Sequence, residues 1–416
     1  MPSTTSTTST SIRSALVVGL GRTGEAAALA LAARGVEVRA ADRASDVDVS
    51  RLAEAGVEVL LGTEEDELLE DVDVVVKGPG VPGNAPPVAA ARSRGIPVWS
   101  EIELGYRLLP GNPLLGVTGT KGKTTTVRLL GAMFEAAGRP AVLAGNEHRP
   151  LSEVALDVDP AAWIVCELSS FALADVETLA CDVAILLNLE PDHLDHHGSF
   201  EAYRDAKLRI FERAGVRIVP RGLGFDGIEF SGDDELPAEP AIPGPHNREN
   251  AAAATAAARA AGLDDEAIAQ ALVSFLGVPH RLELVAEHAG VRFVNDSKAT
   301  NTVAARRAIA SYDAPLHVIL GGSRKGETFD DLAAALTGRG RAYLIGQTAD
   351  ELAAALEAAG IPFARSGDLA TAVRAAAAAA RPGEIVLLSP ASASYDQFRN
   401  FEERGETFRR LVEELA

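Results

Sequence analysis

The sequence predicts an α/β protein of three domains whose sheets are mostly parallel. Apolar, strand-like runs alternate with alanine-rich helical segments along almost the whole chain, and two glycine-rich turns each stand between such a strand and a helix. The chain has 416 residues, 24% charged and 47% hydrophobic, so it is too long for one ordinary core and has the composition of a soluble globular protein. In sheets of this kind, ligands bind at the carboxyl ends of the strands.

The domain boundaries are predicted from turns and composition. Residues 1–12 are rich in serine and threonine, and we expect them to form a disordered tail that is neither a signal peptide nor a membrane span. Glycine- and proline-rich turns near residue 110 and residue 277 separate the alternating segments. The domains are therefore predicted over residues 13–107, 108–278 and 279–416.

The periodicity places the elements in order. The first domain opens with a βαβ unit, in which a helix joins two strands and ends before Gly35. Its strands are predicted at residues 15–18, 36–41, 72–76 and 96–98. Strands of the second domain are predicted at residues 114–117, 163–166 and 183–187, with helices from Lys123, at 199–214 and after Asn250. Strands of the third domain are predicted at residues 291–294, 316–320, 342–345 and 385–388.

The charge balance limits the kinds of partner. Lysine and arginine number 39 against 59 acidic residues, and the net charge of −20 repels nucleic acid and anionic membranes over most of the surface. A polyanionic ligand must therefore meet locally gathered cations. The two cysteines, Cys166 and Cys181, have neither the number of a disulfide framework nor the spacing of a zinc site, which fits a cytoplasmic protein.

The first glycine turn has the pattern of a nucleotide site. Gly19, Gly21 and Gly24 follow a strand and precede a helix, and Asp42 ends the next strand, where an acid that binds ribose would lie. The functional interpretation is a diphosphate at the amino terminus of the helix. The alternative is a tight turn whose glycines serve helix packing alone. The pattern does not specify a nicotinamide cofactor.

The second glycine turn, residues 119–125, is the stronger signal. Its backbone amides could wrap phosphate oxygens, Lys123 could neutralise their charge, and the Thr124 hydroxyl could bind magnesium. It departs from a strict phosphate-loop motif because Val117 stands where glycine is required, with the glycine displaced to Gly116. The alternative is an ordinary glycine turn before a helix.

Three further features could serve this loop. Glu167 follows a strand and would either bind magnesium or cap the turn that follows. The run at residues 192–197 contains three histidines, and their spacing does not decide which of them would bind a metal or contact phosphate. Lys207 lies on the apolar stripe of its helix, four residues after Tyr203. Burial would lower its pKa and favour the neutral amine that reacts with carbon dioxide, although on these residues alone a lysine that reaches solvent is the more common case.

The third domain supplies local cations. Arg281, Lys298 and Lys325 each stand at a strand edge or in a glycine loop, where they could face phosphates or a substrate carboxylate. Each of them could also be ordinary surface charge.

Together these residues resemble the Mur ligase family of peptidoglycan synthesis over almost the whole chain after the tail. The pieces that carry the resemblance are the loop at 119–125, Glu-Leu-Ser-Ser-Phe at 167–171, His246-Asn247 with Asn250, the run 295–301, and the run 389–405. The last two resemble the members that add glutamate more than their siblings. The sequence departs from the usual family pattern in having Arg22 and Glu147-His148 where apolar residues and glycine are usual, and Ser392 where cysteine is common.

The resemblance implies an ATP-dependent cytoplasmic ligase that joins glutamate to a UDP-linked muramoyl-alanine through an acyl phosphate, with closure of its domains. It also implies a Rossmann-like UDP-binding domain, a central phosphate-loop ATPase domain, a Rossmann-like third domain, two magnesium ions, a carbamate on Lys207, and a monomer. The UDP-linked substrate would be bound by Gly21, Arg22, Thr23, Asp42, Arg43, Gly78, Gly80, Asn146 and His193. ATP would be bound by Gly119, Thr120, Lys121, Gly122, Lys123, Thr124, Thr125, Asn250, Arg281 and Asp296. The metal ligands would be Thr124, Glu167, His193 and carbamylated Lys207. Glutamate would be bound by Lys298, Thr300, Lys325, Ser394, Tyr395 and Phe401. The catalytic residues would be Lys123, His193, Lys207 and Lys298.

Three other functions stay open on the sequence. A nicotinamide-dependent oxidoreductase would use the first glycine turn, but it leaves the second turn unexplained. A non-catalytic ATP-binding regulator would not need Lys123 for its function. A related ligase, such as a folylpolyglutamate synthase or one that adds L-glutamate, would share most of the motifs.

Overall fold

The computed structural model describes residues 12–63, 66–242, 244–324, 326 and 328–415. The predicted tail and Lys325 therefore lie outside the described residues, apart from Ile12. The chain divides into two compact units, with the division between Phe275 and Leu276. The first unit contains two sheets and the second unit contains one.

The first sheet has five parallel strands in the order β3-β2-β1-β4-β5. Its elements are β1 Ser14–Val18, α1 Arg22–Ala32, β2 Glu37–Asp42, α2 Ser50–Glu54, β3 Glu58–Leu61, a 3-10 helix Asp66–Leu69, β4 Val74–Lys77, α3 Pro86–Ser93, β5 Val98–Ser100 and α4 Glu101–Leu108. Buried aliphatic residues of β1 and β4 form its centre, because both faces of these strands are covered by helices.

The second sheet has six parallel strands in the order β11-β10-β9-β6-β8-β7. Its elements are β6 Leu114–Thr118, α5 Lys123–Ala136, β7 Ala141–Gly145, α6 Leu151–Val154, β8 Trp163–Glu167, α7 Ser170–Leu173, β9 Val183–Leu186, α8 Leu194–His197, α9 Phe200–Leu208, a 3-10 helix Arg209–Phe211, β10 Val216–Pro220, β11 Ile228–Phe230, α10 Pro245–Ala260 and α11 Asp265–Ser274. Alanines of α10 pack against α5 and the sheet, so the alanine run is core and not surface.

The third sheet has six strands in the order β12-β13-β17-β14-β15-β16. Its elements are β12 Glu283–His288, β13 Val291–Asn295, α12 Thr302–Ala310, β14 Leu316–Gly321, α13 Asp330–Ala335, β15 Gly340–Ile345, α14 Ala349–Ala358, β16 Phe363–Gly367, α15 Leu369–Ala379, β17 Ile385–Leu388 and α16 Phe401–Glu413. Strand β12 pairs antiparallel with β13, and the other pairs among the described strands are parallel.

The predicted fold class is confirmed: the chain is α/β with mostly parallel sheets. Two helices differ from the prediction. The helix expected after Asn250 already begins at Pro245, and the helix expected at 199–214 ends at Leu208 and continues as a 3-10 turn. The tighter turn carries the neighbouring residues Ile210 and Phe211 both into the core, and the Arg209 guanidinium donates to the carbonyls of Ala174 and Val176. No helix in the described part of the chain is long and apolar enough to cross a membrane.

Candidate active site

The second glycine turn joins the end of β6 to the start of α5. Gly119 and Gly122 have φ angles of 154° and 87°, which glycine adopts readily and other residues rarely do. A Cβ atom at Gly122 would lie 2.2 Å from Oδ1 of Asn250, so α10 approaches the turn closely at this point. The turn and Asn250, predicted separately to bind ATP, are therefore neighbours.

The lysines of this turn lie in different surroundings. Nζ of Lys123 donates to the carbonyls of Gly119, at 2.9 Å, and Thr120, at 3.1 Å, so this ammonium folds back over the loop. Nζ of Lys121 pairs with the carboxylate of Glu190 at the surface. Of these two lysines, Lys123 is therefore the one whose ammonium is held against the backbone of the loop.

Glu167 ends β8 beside the loop and is only 2% exposed. Burial raises the pKa of its carboxyl, and the charge of Lys123 together with a hydrogen bond from Thr124 opposes that rise. Its Oε2 atom has no hydrogen-bond partner among the described residues. The position fits the predicted metal ligand, because a buried carboxylate oxygen without a donor is costly unless a cation occupies it.

Lys207 lies on α9 and is 2% exposed, so the alternative in which its side chain reaches solvent is excluded. Its Nζ donates to the carbonyl of Gly119 at 2.8 Å and lies 4.7 Å from the centre of the Tyr203 ring. The Tyr203 hydroxyl in turn lies 2.9 Å from Oγ1 of Thr120. Burial, and next the charge of Lys123, lower the pKa of Lys207 to about 7. A large fraction of this amine is therefore neutral near neutral pH.

The histidine run surrounds Phe171. The ring of His193 lies 4.8 Å from that of Phe171, and the ring of His196 lies 4.4 Å from it. His193 has a left-handed backbone, with φ of 51°, and is the N-cap residue directly before α8, while Nε2 of His197 lies 3.0 Å from Oγ of Ser170. The run thus packs against the segment that follows Glu167. No group of three or more histidine, cysteine, aspartate or glutamate side chains arranged to hold a metal is found in the described part of the chain.

The first glycine turn is closed by Asp42. The Asp42 carboxylate accepts the backbone N–H of Leu20 at 2.6 Å and that of Ala44 at 2.8 Å. A Cβ atom at Gly24 would lie 1.9 Å from the carbonyl oxygen of Gly19, so this glycine lets the helix pack on the turn. Asp42 is therefore already bound to the backbone of the turn that it was predicted to accompany.

A cleft of the first unit is lined by residues from both of its sheets. It contains Thr23 from α1, Lys77 from β4, Glu101 from α4, Asn146 directly after β7, and Glu167 from β8. Gly78 donates its N–H to the carbonyl of Val18 beside the first turn, whereas Gly80 has open space around it and Arg43 is exposed. The cleft thus gathers residues predicted for the UDP-linked substrate and for the metal.

In the second unit, Asp296 is buried and hydrogen-bonded to Oγ of Ser389 and to the N–H of Leu282. Burial raises the pKa of Asp296 to about 7, and the nearby charge of Arg281 opposes the rise. Arg281 itself is exposed. The two residues predicted to complete the ATP site are thus neighbours.

The residues predicted to bind glutamate have unequal surroundings. Nζ of Lys298 lies 5.8 Å from the centre of the Phe401 ring. Ser394 is buried, whereas Tyr395 is 73% exposed. Thr300 contributes to a cavity of about 200 Å³ that also contains Ser323, Arg324, Thr348, Glu351 and Ser392. The structure thus adds Thr348 and Glu351, two polar cavity residues that the sequence did not indicate.

Arg404 is a residue of this unit whose position the sequence reasoning missed. It is 1% exposed, and its guanidinium donates to Oγ and the carbonyl of Ser297 and to the carbonyls of Ser392 and Ala393, at 2.8 to 3.3 Å. Burial lowers its pKa to about 10. A signal was present, because Arg404 stands three residues after Phe401 and four before Phe408, on the apolar face of α16.

Replacing Arg404 with methionine should lower the free energy of unfolding by about 3 kcal/mol or more, since it leaves several buried oxygens without a donor. It should also raise the KM for glutamate if the two loops that it joins bind that substrate. Urea unfolding monitored by circular dichroism measures the first effect. Arg410→Met on the exposed face of the same helix is the control and should change stability by less than about 0.5 kcal/mol. A loss of less than about 1 kcal/mol in the free energy of unfolding of Arg404→Met would contradict a stabilising role for these hydrogen bonds.

The fold and this site define an α/β protein whose first unit carries two glycine turns of the kind that bind phosphate. Three family models match the chain: the MurD-like N-terminal domain of Mur ligases at residues 13–100, the Mur ligase middle domain at 117–221, and the Mur ligase glutamate ligase domain at 280–392. The chain belongs to the Mur ligase family.

Relatives extend the match over almost the whole chain. It is 39% identical to the UDP-N-acetylmuramoylalanine--D-glutamate ligase of Acidobacterium capsulatum, covering 95% of each chain. It is 43% identical to the protein of the same name from Sphingopyxis alaskensis, covering 96% of this chain and 97% of the relative.

Solved structures show the same fold at low identity. The UDP-N-acetylmuramate-alanine ligase of Thermotoga maritima has a TM-score of 0.57 and 17% identity, covering 98% of this chain and 100% of that chain. A bifunctional folylpolyglutamate synthase/dihydrofolate synthase of Yersinia pestis, solved with AMPPNP and a manganese ion, has a TM-score of 0.52 and 19% identity, covering 75% of this chain and 93% of its own.

Proposed function

We propose that this protein is an ATP-dependent ligase that adds D-glutamate to UDP-N-acetylmuramoyl-L-alanine in peptidoglycan precursor synthesis. The observation that carries the proposal is identity of 39 to 43% over at least 95% of the chain to relatives of that name. The phosphate loop with Lys123, Glu167 and Lys207 around it supplies the matching chemistry. The cytoplasmic location, the monomeric state and the domain boundaries at 107 and 278 stay predictions.

ATP would lie with its phosphates on residues 119–125 and its adenine near Asn250. Magnesium is a hard cation that prefers oxygen ligands, and Oε2 of Glu167, which accepts no hydrogen bond from the described residues, fits it together with the Thr124 hydroxyl. A second ion would be held by His193 and a carbamate on Lys207, whose neutral amine fits carbamate formation. Bound there, the ions would neutralise phosphate charge. Arg281 and Asp296 are proposed nucleotide residues of the second unit.

Lys123 would stabilise the negative charge that spreads over the γ-phosphate oxygens while the alanyl carboxylate attacks phosphorus in line. The products of this step are ADP and an acyl phosphate. The amine of glutamate then attacks the acyl carbon, and inorganic phosphate leaves from the tetrahedral intermediate. The amine loses its proton in this step, and an amide remains.

The substrates would use the other predicted residues. The uridine diphosphate would lie at the first glycine turn, with Gly21, Thr23 and Gly78 close to it and Asp42 holding the turn through Leu20. Gly80, Arg22 and Arg43 are the other proposed contacts of this substrate, and Asn146 with His193 would approach its muramoyl end. Lys298, Thr300, Lys325, Ser394, Tyr395 and Phe401 are the proposed glutamate residues.

Phosphate release tests the proposal. The purified protein with ATP, magnesium and UDP-N-acetylmuramoyl-L-alanine should release phosphate when D-glutamate is added, and the product should be the glutamate conjugate by mass spectrometry. L-Glutamate is the matched comparison, because it has the same charge and size. Turnover with L-glutamate alone would indicate the L-glutamate-adding relative, and turnover with neither would contradict the substrate assignment.

A further inference from the structure

Arg22 connects the two parts of the first unit. It begins α1, directly after the first glycine turn, and its Nη2 donates to the backbone carbonyl of Asn146 at 2.8 Å. The two residues are 124 positions apart in the sequence. The side chain is exposed, and its guanidinium forms no other hydrogen bond with the described part of the chain. A guanidinium has five N–H donors, so donors remain for a ligand.

Asn146 is in turn tied to Glu167. The N–H of Asn146 donates to the backbone carbonyl of Glu167 at 3.1 Å, and its side-chain amide lies 3.5 Å from Oε1 of the Glu167 carboxylate. Gly145, with φ of 94°, passes so close that a Cβ atom there would lie 2.2 Å from the carbonyl oxygen of Glu167. Because Asn146 is bonded to the backbone of Glu167 and Gly145 passes close beside it, we expect a displacement of Asn146 to displace Glu167 as well.

We propose that Arg22 couples the binding of the UDP-linked diphosphate to the placement of Glu167, by holding the diphosphate and the Asn146 carbonyl with one guanidinium. The inference rests on the proposed function. It adds to that function a positioning role for Arg22, which would act on Glu167 through Asn146. The series of contacts runs from the first glycine turn through Arg22 and Asn146 to the Glu167 carboxylate. Each link is one hydrogen bond or one close contact.

The chemistry at Arg22 favours a diphosphate. The start of α1 offers backbone N–H groups and the positive end of the helix dipole, and Arg22 adds a full charge at the same place. A guanidinium binds phosphate oxygens through two parallel N–H bonds and still has a donor for a carbonyl. An apolar side chain at this position would provide neither contact.

Calorimetry measures the coupling directly. The dissociation constant of magnesium with a non-hydrolysable ATP analogue would be determined with and without saturating UDP-N-acetylmuramoyl-L-alanine, and the ratio of the two is the coupling factor. We expect the substrate to tighten nucleotide binding about 5-fold or more in the unmodified protein. In Arg22→Leu the factor should fall towards 1, and the substrate itself should bind about 10-fold more weakly.

Arg34→Leu is the matched control. Arg34 is also exposed, follows the carboxyl end of α1, and donates to the backbone carbonyls of Leu108 and Ala155, both at 3.1 Å. Its removal takes away a similar bridge to residues that do not line the cleft, so the coupling factor should stay as in the unmodified protein. Arg22→Lys keeps the charge but not the planar fork, and it should retain part of the substrate affinity while losing most of the coupling.

The outcomes separate the two proposals. If the unmodified protein binds the nucleotide analogue but not the UDP-linked substrate, the proposed function fails and the inference fails with it. If both ligands bind but the coupling factor is 1, or if Arg22→Leu and Arg22→Lys keep the full factor, only the inference is overturned. An equal loss of coupling in Arg34→Leu would overturn it as well, since the effect would then come from general loosening of the unit.

Discussion

A Lys207→Met enzyme is expected to be more stable than the unmodified protein and to lose on the order of 10³-fold in kcat. The loss is large because methionine cannot form the proposed carbamate, which would hold charge-neutralising metal at the phosphate loop. The gain in stability follows from burial, since Lys207 is 2% exposed and its hydrogen bond in the described structure goes to a neutral carbonyl. Methionine has a similar length and needs no partner.

The stability difference should depend on pH in a defined direction. The pKa of Lys207 is lowered from 10.5 to about 7 in the folded protein, so the unfolded chain binds more protons between these values. The free energy of unfolding of the unmodified protein therefore rises with pH over this window. The advantage of Lys207→Met should be full below pH 7 and should shrink towards pH 10.5.

Two measurements distinguish the carbamate from a simple structural role. Carbon-13 NMR with labelled bicarbonate should show a carbamate signal in the unmodified protein and none in Lys207→Met, and bicarbonate should raise the melting temperature of the former alone. Lys207→Ala should recover part of its activity with short carboxylates such as acetate. Arg204→Met, a half-buried position on the same helix whose side chain is 41% exposed, is the control and should behave like the unmodified protein. A fully active Lys207→Met would remove this lysine from the mechanism.

The elements that the sequence predicted well are those with a local signal. The strand, turn and helix around Gly119–Thr125 are contiguous, so periodicity and glycine positions were enough to place them. The burial of Lys207 also has a local cause, because its position on the apolar stripe of α9 is visible in the order of residues. The resemblance to the Mur ligase family was needed to choose between a buried Lys207 and a Lys207 that reaches solvent.

The parts that the sequence did not predict depend on distant partners. The bond of Arg22 to Asn146 and the contact of Tyr203 with Thr120 join segments that are 124 and 83 residues apart. Asp42 was expected to bind ribose, but whether its carboxylate faces a ligand or the backbone of Leu20 is decided by the closure of the turn. The short strand β7, Ala141–Gly145, is rich in small residues and has a weak local signal although it carries the Asn146 loop.

Replacing Glu167 with glutamine should reduce kcat by about 10²- to 10³-fold, because a neutral amide is a poor ligand for the magnesium that would offset phosphate charge. The same change should stabilise the protein without ligands at neutral pH. Burial raises the pKa of this carboxyl in the folded state, so the folded protein binds more protons than the unfolded chain above the usual carboxyl pKa. The free energy of unfolding then falls as pH rises through that range, and a neutral side chain removes the cost.

Thermal unfolding with and without magnesium and a non-hydrolysable ATP analogue measures both the stability of the protein and its binding of magnesium. In the unmodified protein the ligands should raise the melting temperature, because they bind the folded state and satisfy the buried oxygen. In Glu167→Gln the melting temperature without ligands should be higher than in the unmodified protein, and the increase in melting temperature caused by magnesium should be small. Glu101→Gln is the matched control, since Glu101 is also buried with a raised pKa but accepts two hydrogen bonds from Ser152. Its magnesium-dependent rise should be unchanged, and an equal rise in Glu167→Gln would exclude Glu167 as a metal ligand.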